Sequence, residues 1–321
     1  KLWDIVRALN EKGIAIMIVN HKLDEIYRIA DRLTILRNGT YISSGDISEY
    51  DQARFTKDMT GRDIVETKYT PEESGEEVLR VEHLSRKGAF EDVSFTLHKG
   101  DVLGITGLLG SGRGEIGEAL FGIAPAESGK IFLNGKEIEI KSVKDAMTNE
   151  IGYVPEDRLT QGLFMEKSIQ DNVIAASIRK YMKGGKLDEK EMEDTTNHWI
   201  KEIEIKAPSP KPAVRTLSGG NAQKVVIAKW LNTNPKLFIL DGPTVGVDIG
   251  AKAEIHEILH GLAKKGVGII IISDDLPELV QNCNKIVVMR DGKLSGSMDN
   301  SIDERTLGNI LVGATKGGAK E

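Results

Sequence analysis

The chain has 321 residues and a mass of 35.2 kDa, with 40% hydrophobic and 29% charged residues, a size and balance that allow a buried core and disfavour disordered, collagen-like or mucin-like architectures. The formal net charge of −6 and a sequence pI near 5.7 give no global attraction to phosphate backbones, and without a local basic patch no nucleic-acid partner is expected. The single Cys283 cannot form an internal disulfide, the chain opens on Lys1 without an apolar signal-like stretch, and no apolar run approaches the roughly 20 residues that span a bilayer. A reducing cytosolic setting follows, with any membrane role exercised through a partner.

In chain order, the first informative feature is a repeat. Residues 1–46 match residues 254–299 at a constant offset of 253 without a gap, with about a dozen identities. In both copies a helix-like segment leads into Lys-Gly (Lys12-Gly13, Lys265-Gly266), then a β-branched run (Ile14 to Val19, Val267 to Ile272). Both copies then pass Leu-x-Glu (Leu23 to Glu25, Leu276 to Glu278) and reach Arg-x-Gly (Arg37 to Gly39, Arg290 to Gly292). Any two βα segments share some likeness, but here the breaker residues coincide as well, and the pattern reads as one duplicated unit. The first copy shows only the tail of a unit that begins near Glu77 in the second. The expectation is therefore that about 175 residues precede Lys1, and that the chain is the C-terminal part of a longer tandem protein.

The expected domains are 1–61, the remnant of a first unit; 62–77, a polar and exposed linker; 78–313, a second unit; and 314–321, a flexible tail. Strand-like alternation appears in Val78 to Val81 and Asp92 to Leu97, and short apolar runs bounded by turns suggest buried strands at Val102 to Ile105, Leu237 to Leu240 and Gly268 to Ile272. Helical patterns fall at Ile169 to Lys183, Glu189 to Glu202 and Asn221 to Asn232. Strands alternating with helices predict an α/β fold with a mostly parallel sheet covered on both faces.

Three stretches carry chemistry. After the strand ending at Thr106, the residues Gly107-Leu108-Leu109-Gly110-Ser111-Gly112-Arg113-Gly114 fall in the frame of the phosphate loop G-x-x-x-x-G-K-[ST]. Its glycines let backbone N–H groups turn toward phosphate oxygens at a helix N-terminus. Arg113 stands where a Lys would reach the β- and γ-phosphates, and Gly114 where a hydroxyl would hold Mg²⁺; Arg keeps the charge but is bulkier and forked. By itself this degenerate loop is also compatible with a plain glycine-rich turn. Leu217-Ser218-Gly219-Gly220-Asn221-Ala222-Gln223-Lys224 opens a helix, where Ser218 is either an ordinary cap or part of an anion site. The apolar strand Leu237 to Leu240 ends in Asp241, a position suited to holding Mg²⁺ through water, and Gly246-Val247-Asp248 follows a turn later.

In this order and spacing the residues resemble the ATP-binding cassette family: a Walker A loop, the LSGGNAQK signature, a Walker B strand and the Asp248 loop. The Arg-bearing loop, the Tyr153-Val154-Pro155-Glu156-Asp157-Arg158 stretch and the Asn-Ala-Gln signature resemble, more narrowly, the second half of the tandem ATP-binding subunit of bacterial monosaccharide importers. The resemblance covers nearly the whole chain. It implies a P-loop NTPase fold of the cassette type, with a parallel core, an antiparallel β subdomain and a helical subdomain. It also implies ATP and Mg²⁺ as ligands, with Gly107, Gly110, Ser111, Gly112, Arg113, Gly114, Glu156, Ser218, Gly219, Gly220, Gln223 and Asp248 at nucleotide.

Five positions depart from the working pattern of that family. Besides Arg113 and Gly114, Gly242 replaces the water-orienting Glu after Asp241, and Glu156 replaces a Gln. The repeat aligns Asp274 with His21, the switch histidine of the first copy. An Asp at the switch position repels a γ-phosphate. The expectation is a site that hydrolyses nucleotide poorly. Cassettes pair antiparallel, so Ser218, Gly219 and Gly220, together with His21, would serve the site of the missing first cassette. The resemblance also implies a permease contact through the 168–202 region and a sugar-binding protein, periplasmic or extracellular, reached through that permease. It places the subunit peripherally at the cytoplasmic face of the plasma membrane. A soluble cassette protein acting on ribosomes or chromosomes is the competing class; it would need a long coiled-coil insertion or a basic arm, and neither is present.

Overall fold

The computed structural model describes residues 2–20, 23–37, 39–61, 68–71, 75–299 and 301–313, and divides into two units: Lys1–Glu66 with Val247–Ala253, and Thr67–Gly246 with Glu254–Glu321. In the first unit, helices α1 (Leu2–Glu11) and α2 (Leu23–Ile29) are followed by an antiparallel hairpin, β1 (Arg32–Arg37) and β2 (Thr40–Asp46), and by helix α3 (Gln52–Thr60). Asp51 starts α3 by accepting the Arg54 N–H at 2.7 Å, and Gly61, at φ +80°, ends it. Leu33 and Ile35, on one face of β1, pack with Tyr50 and Phe55 into a small core to which Ile249 adds.

The second unit opens with strands β3 (Glu77–Arg86) and β4 (Phe90–His98), then β5 (Val102–Gly107), helix α4 (Arg113–Phe121), strands β6 (Ser128–Leu133) and β7 (Lys136–Ile138), helix α5 (Val143–Thr148) and strand β8 (Ile151–Val154). Helix α6 (Ile169–Ile174), the short strands β9 (Met182–Lys183) and β10 (Lys186–Leu187) and helix α7 (Glu189–Glu202) form a helical subdomain. Helix α8 (Gly219–Leu231) leads to β11 (Leu237–Asp241), α9 (Ile249–Lys264), β12 (Gly268–Ile272), α10 (Leu276–Asn282), β13 (Lys285–Arg290), β14 (Lys293–Asp299) and α11 (Glu304–Leu311). Strand order β14-β13-β5-β12-β11-β8 makes the main sheet, parallel throughout except at β14; a four-stranded antiparallel sheet, β4-β3-β6-β7, stands beside it. Every residue of β5 and β12 is buried, which is why these strands read as unbroken apolar runs rather than alternating ones. The parallel order brings Gly107, Val154, Asp241 and Ile272 to the same edge of the sheet, the edge where α/β folds bind ligands.

The repeat survives in three dimensions. α2, β1 and β2 share their bounds with α10, β13 and β14 at the offset of 253, and the hairpin irregularity between Ile35 and Leu36 recurs between Val288 and Met289. The β-branched runs differ. Gly268–Ile272 is a central strand laddered to β5 and β11, whereas residues 14–20 are irregular, with Met17 and Val19 more than 90% exposed. A strand needs neighbours to satisfy its backbone, and among its described residues the first unit pairs only β1 with β2.

Two further expectations are corrected. The helix expected over Ile169 to Lys183 ends at Ile174, gives way to 3₁₀ turns with Ser177 out of helical conformation, and becomes a two-stranded ribbon turning at Gly184 and Gly185, both at positive φ. The buried Asn232 amide holds the break by donating to Ser177 Oγ (2.7 Å) and to the Tyr181 hydroxyl (2.8 Å). The segment expected as an exposed linker over 62–77 is not exposed throughout. Tyr69 is buried, donates its N–H to Gln281 O and its hydroxyl to Gly100 O, and stacks on His260 at 4.3 Å, while Glu77 already belongs to β3. His21 and the tail 314–321 lie outside the described residues.

Candidate functional site

The loop after β5 is shaped by its glycines. A side chain at Gly107 would press on Ser111 and come within 2.7 Å of Met289 O, and one at Gly112 within 2.5 Å of Ala89 O; Gly112 also sits at φ +92°. Gly110, at φ +78°, faces open space. Ser111 N–H donates to Leu108 O and Ser111 O accepts from Gly292 N–H, so the loop is curled and pinned from both sides before α4 starts at Arg113. The result is a backbone cradle at a helix N-terminus that fits a phosphate group.

The side chains around this cradle come from the strand ends. Arg113 donates to Gly107 O and lies 3.4 Å from Asp274 Oδ2, which is carried just past β12. A side-chain atom at Gly114 would stand 3.3 Å from Asp241 Oδ2, so the missing hydroxyl is missing next to the carboxylate it would work with. Burial, reinforced by the Glu156 charge and opposed by Arg113, pushes the Asp241 carboxyl up to about 7. Tyr153 OH lies 3.5 Å from the same carboxylate, and burial first, then that charge, pushes the phenol upward. Gly242 sits at φ +54°, and the space in front of it holds Val245 Cγ2 (2.9 Å) and Glu156 Cγ (3.1 Å). The Glu156 side chain thus stands where a Glu at 242 would emerge. Among the described residues no group of three or more His, Cys, Asp or Glu is arranged to hold a metal ion. Asp241 fits a metal that nucleotide phosphates also hold.

A second cluster forms at the start of α8. Ser218 is exposed in extended conformation, its Oγ accepts from Asn221 Nδ2 at 2.8 Å, and Gly219 and Gly220 form the first turn. Gly219 has no room for a side chain: Gly246 O and Arg158 Nη2 each lie 3.0 Å from where one would begin. Arg158 donates to Val245 O and to Gly246 O (3.2 Å), tying the loop after β8 to the loop after β11 and to the signature helix. The sequence reading placed Arg158 only within the Tyr153 to Arg158 stretch and missed this role. Gln223, grouped with the signature residues, is buried in α8. Asp248 is exposed and accepts the Ala251 N–H at 3.0 Å, capping α9. Glu278, noted only within Leu-x-Glu, is buried and accepts from Thr244 Oγ1 (2.6 Å), Ser273 Oγ (2.7 Å) and His256 Nε2 (2.9 Å), joining the loop after β11 to the end of β12.

Residues 90–245 match the model of the ABC transporter family, and the ribose import ATP-binding protein RbsA of Bacillus licheniformis is 38% identical over 319 residues, 99% of this chain and 64% of that protein. The chain carries an ABC ATP-binding domain homologous to ribose import ATP-binding proteins. A putative ribose/galactose/methyl galactoside import ATP-binding protein of Rhizobium etli is 40% identical over 319 residues, 98% of this chain and 60% of that protein. The ADP conformation of an ATP-binding cassette of an ABC transporter has the same fold, at TM-score 0.61 and 23% identity over 74% of this chain and 95% of that one. The chain spans less than two thirds of the length of the curated relatives it matches. Cassette domains of this kind bind nucleotide.

Proposed function

We propose that this chain is the C-terminal portion of the energy-coupling, ATP-hydrolysing subunit of a monosaccharide importer, working beside a first cassette. The repeated hairpin, the fraction of the ribose-import relatives that the chain spans, and their names support this reading. The observation that carries it is an asymmetry: a well-built phosphate loop is surrounded by Arg113, Gly114, Gly242 and Asp274, while Ser218 stands exposed at the N-terminus of α8, ahead of Gly219 and Gly220 in its first turn. Ser218 and the amides of Gly219 and Gly220 contact the γ-phosphate held by the other cassette, with His21 serving the same site. The chain's own site binds nucleotide through the loop backbone but has no carboxylate at Gly242 to orient water. Mg²⁺, when bound with nucleotide, neutralises charge on the β- and γ-phosphates. Asp241 would hold it here, without help from Gly114.

No helix among the described residues is long and apolar enough to cross a membrane, which fits a peripheral subunit on the cytoplasmic face. The 168–202 region and the Glu156 loop dock on transmembrane permease subunits, which in turn meet the sugar-binding protein. In the full-length protein, Gly220→Asp and Ser218→Ala should lower ATP turnover and sugar uptake by about 10²–10³-fold, the scale of losing one transition-state contact, whereas Arg113→Ala should mainly weaken nucleotide binding. The present chain by itself should turn over far below the roughly 1–100 s⁻¹ of competent phosphoryl-transfer enzymes. If Arg113→Ala abolishes turnover and uptake while Gly220→Asp leaves both intact, the assignment of the two sites is wrong.

A further inference from the structure

The two ends of the phosphate site differ in how they would treat charge. At the loop end, the ligand-facing groups are backbone: Gly110 with open space before it, the turn at Gly112, and the N-terminus of α4. At the far end, toward the tips of β11 and β12, the groups are carboxylates: Asp241, Glu156 beside it, and Asp274. The cation in the lysine position does not offset them freely. Arg113 is folded back onto Gly107 O, and Asp274 Oδ2 lies 3.4 Å from its Nη2, so the guanidinium that would greet a third phosphate already has an anion at its edge. Arg113 is only 16% exposed in its side chain while Asp274 is 74% exposed, which leaves the carboxylate, not the guanidinium, facing an incoming ligand.

Resting on the reading of residues 107–114 as a nucleotide loop, we propose that this site selects nucleoside diphosphates over triphosphates, with Asp274 as the residue that sets the preference. The backbone cradle and helix N-terminus serve a diphosphate fully. A γ-phosphate would extend toward Asp274 and would have to displace it from Arg113. Two like unit charges about 6 Å apart at the dielectric of a protein surface shift an equilibrium by roughly a hundredfold, and the exposure of Asp274 screens the effect down to about tenfold. In the repeat, the aligned residue is His21, which carries no such repulsion.

The test is calorimetric titration of this chain with ADP and with ATP, in Mg²⁺ and in EDTA, for the wild type, Asp274→Asn and Asp274→His. The wild type should bind ADP about five- to tenfold more tightly than ATP, with the larger ratio in EDTA. Both variants should move the ratio toward ATP by about tenfold while changing ADP affinity less than about twofold. Tighter binding of ATP by the wild type, or a ratio unmoved in both variants, overturns the selectivity assignment alone. Binding of neither nucleotide overturns it together with the reading of the loop.

Discussion

In a working cassette a Glu follows the Walker B Asp, so the obvious repair of this site is Gly242→Glu. The structure predicts that the repair fails. Gly242 lies at φ +54°, held there by its N–H to Ile272 O at 2.8 Å and by its carbonyl accepting from Val245 N–H at 3.1 Å. Placing an L-residue in that left-handed region costs about 1–2 kcal/mol. The new side chain would start 2.9 Å from Val245 Cγ2 and 3.1 Å from Glu156 Cγ. Both are side-chain atoms that can shift, so the overpacking adds about 1–3 kcal/mol. A total of roughly 2–5 kcal/mol corresponds to a fall in melting temperature of about 3–7 °C for a chain of this size. The new carboxylate would also be pushed off the line to the phosphate by Glu156. Thermal melts and ATP turnover of Gly242→Glu and of Gly242→Glu with Glu156→Ala test this: the single variant should melt lower without gaining activity, and the double variant should recover about 1 kcal/mol. A single variant that melts with the wild type and turns over at roughly 1 s⁻¹ or faster would refute the reasoning.

Gly114→Ser should place a hydroxyl within hydrogen-bond reach of Asp241 Oδ2, favour the ionised carboxylate and tighten Mg²⁺-dependent nucleotide binding several-fold at pH 7; an unchanged Mg²⁺ dependence in a binding titration counts against the geometry. Glu278→Ala should cost about 3–5 kcal/mol, because it strands the His256, Thr244 and Ser273 donors in the core. Burial pushes the Glu278 carboxyl up, but the interaction with His256 and the hydrogen bonds from Thr244 and Ser273 outweigh it and hold the group down at about 2, below its ordinary 4.5, so its contribution is complete above pH 4.5 and fades as pH falls toward 2. The wild-type advantage in denaturant unfolding should therefore shrink between pH 5 and pH 3, and a constant difference would contradict the assignment. Cysteines placed at Gln170 and Asp157 in the full-length protein should crosslink to a permease subunit, and crosslinks only to soluble proteins would point to the competing class.

The sequence made the sheet legible because its strands are buried on both faces and therefore continuous in apolar residues, and because Gly-rich turns mark their ends. The repeat was legible down to its turn residues, and the shared bulge at Ile35 and Val288 follows from the same pattern. What was not legible depends on partners distant in sequence. The end of α6 is set by Asn232, some fifty positions on, which no local helical pattern reports. Gln223 lies one helical turn from Gly220, and because α8 is buried almost all round, periodicity does not say which residues of its first turns meet solvent. Arg158 acts on loop carbonyls 87 and 88 positions away, and Glu278 on the Thr244 hydroxyl 34 positions away, and neither has a signature of its own.

Where this site keeps the cassette pattern and where it departs from it divide along a physical line. Gly107 and Gly112 are required by their own surroundings, since any side chain there would run into Met289 O or Ala89 O whether or not a nucleotide is ever bound. Gly219 is hemmed in by Gly246 O and Arg158 in the same way. These positions are part of how the chain folds. Positions 113, 114, 242 and 274 instead lie at the start of α4 and just past the ends of β11 and β12, while the β11–β12 and β12–β5 ladders run without irregularity. Asp274 is largely exposed, Gly114 has only a carboxylate before it, and Gly242 has made room for Glu156. A site can therefore lose the groups that act on a γ-phosphate while its scaffold stays rigid. That rigid scaffold is also what Ser218 and α8 need if they are to present their hydroxyl and amides to a neighbouring cassette with fixed geometry.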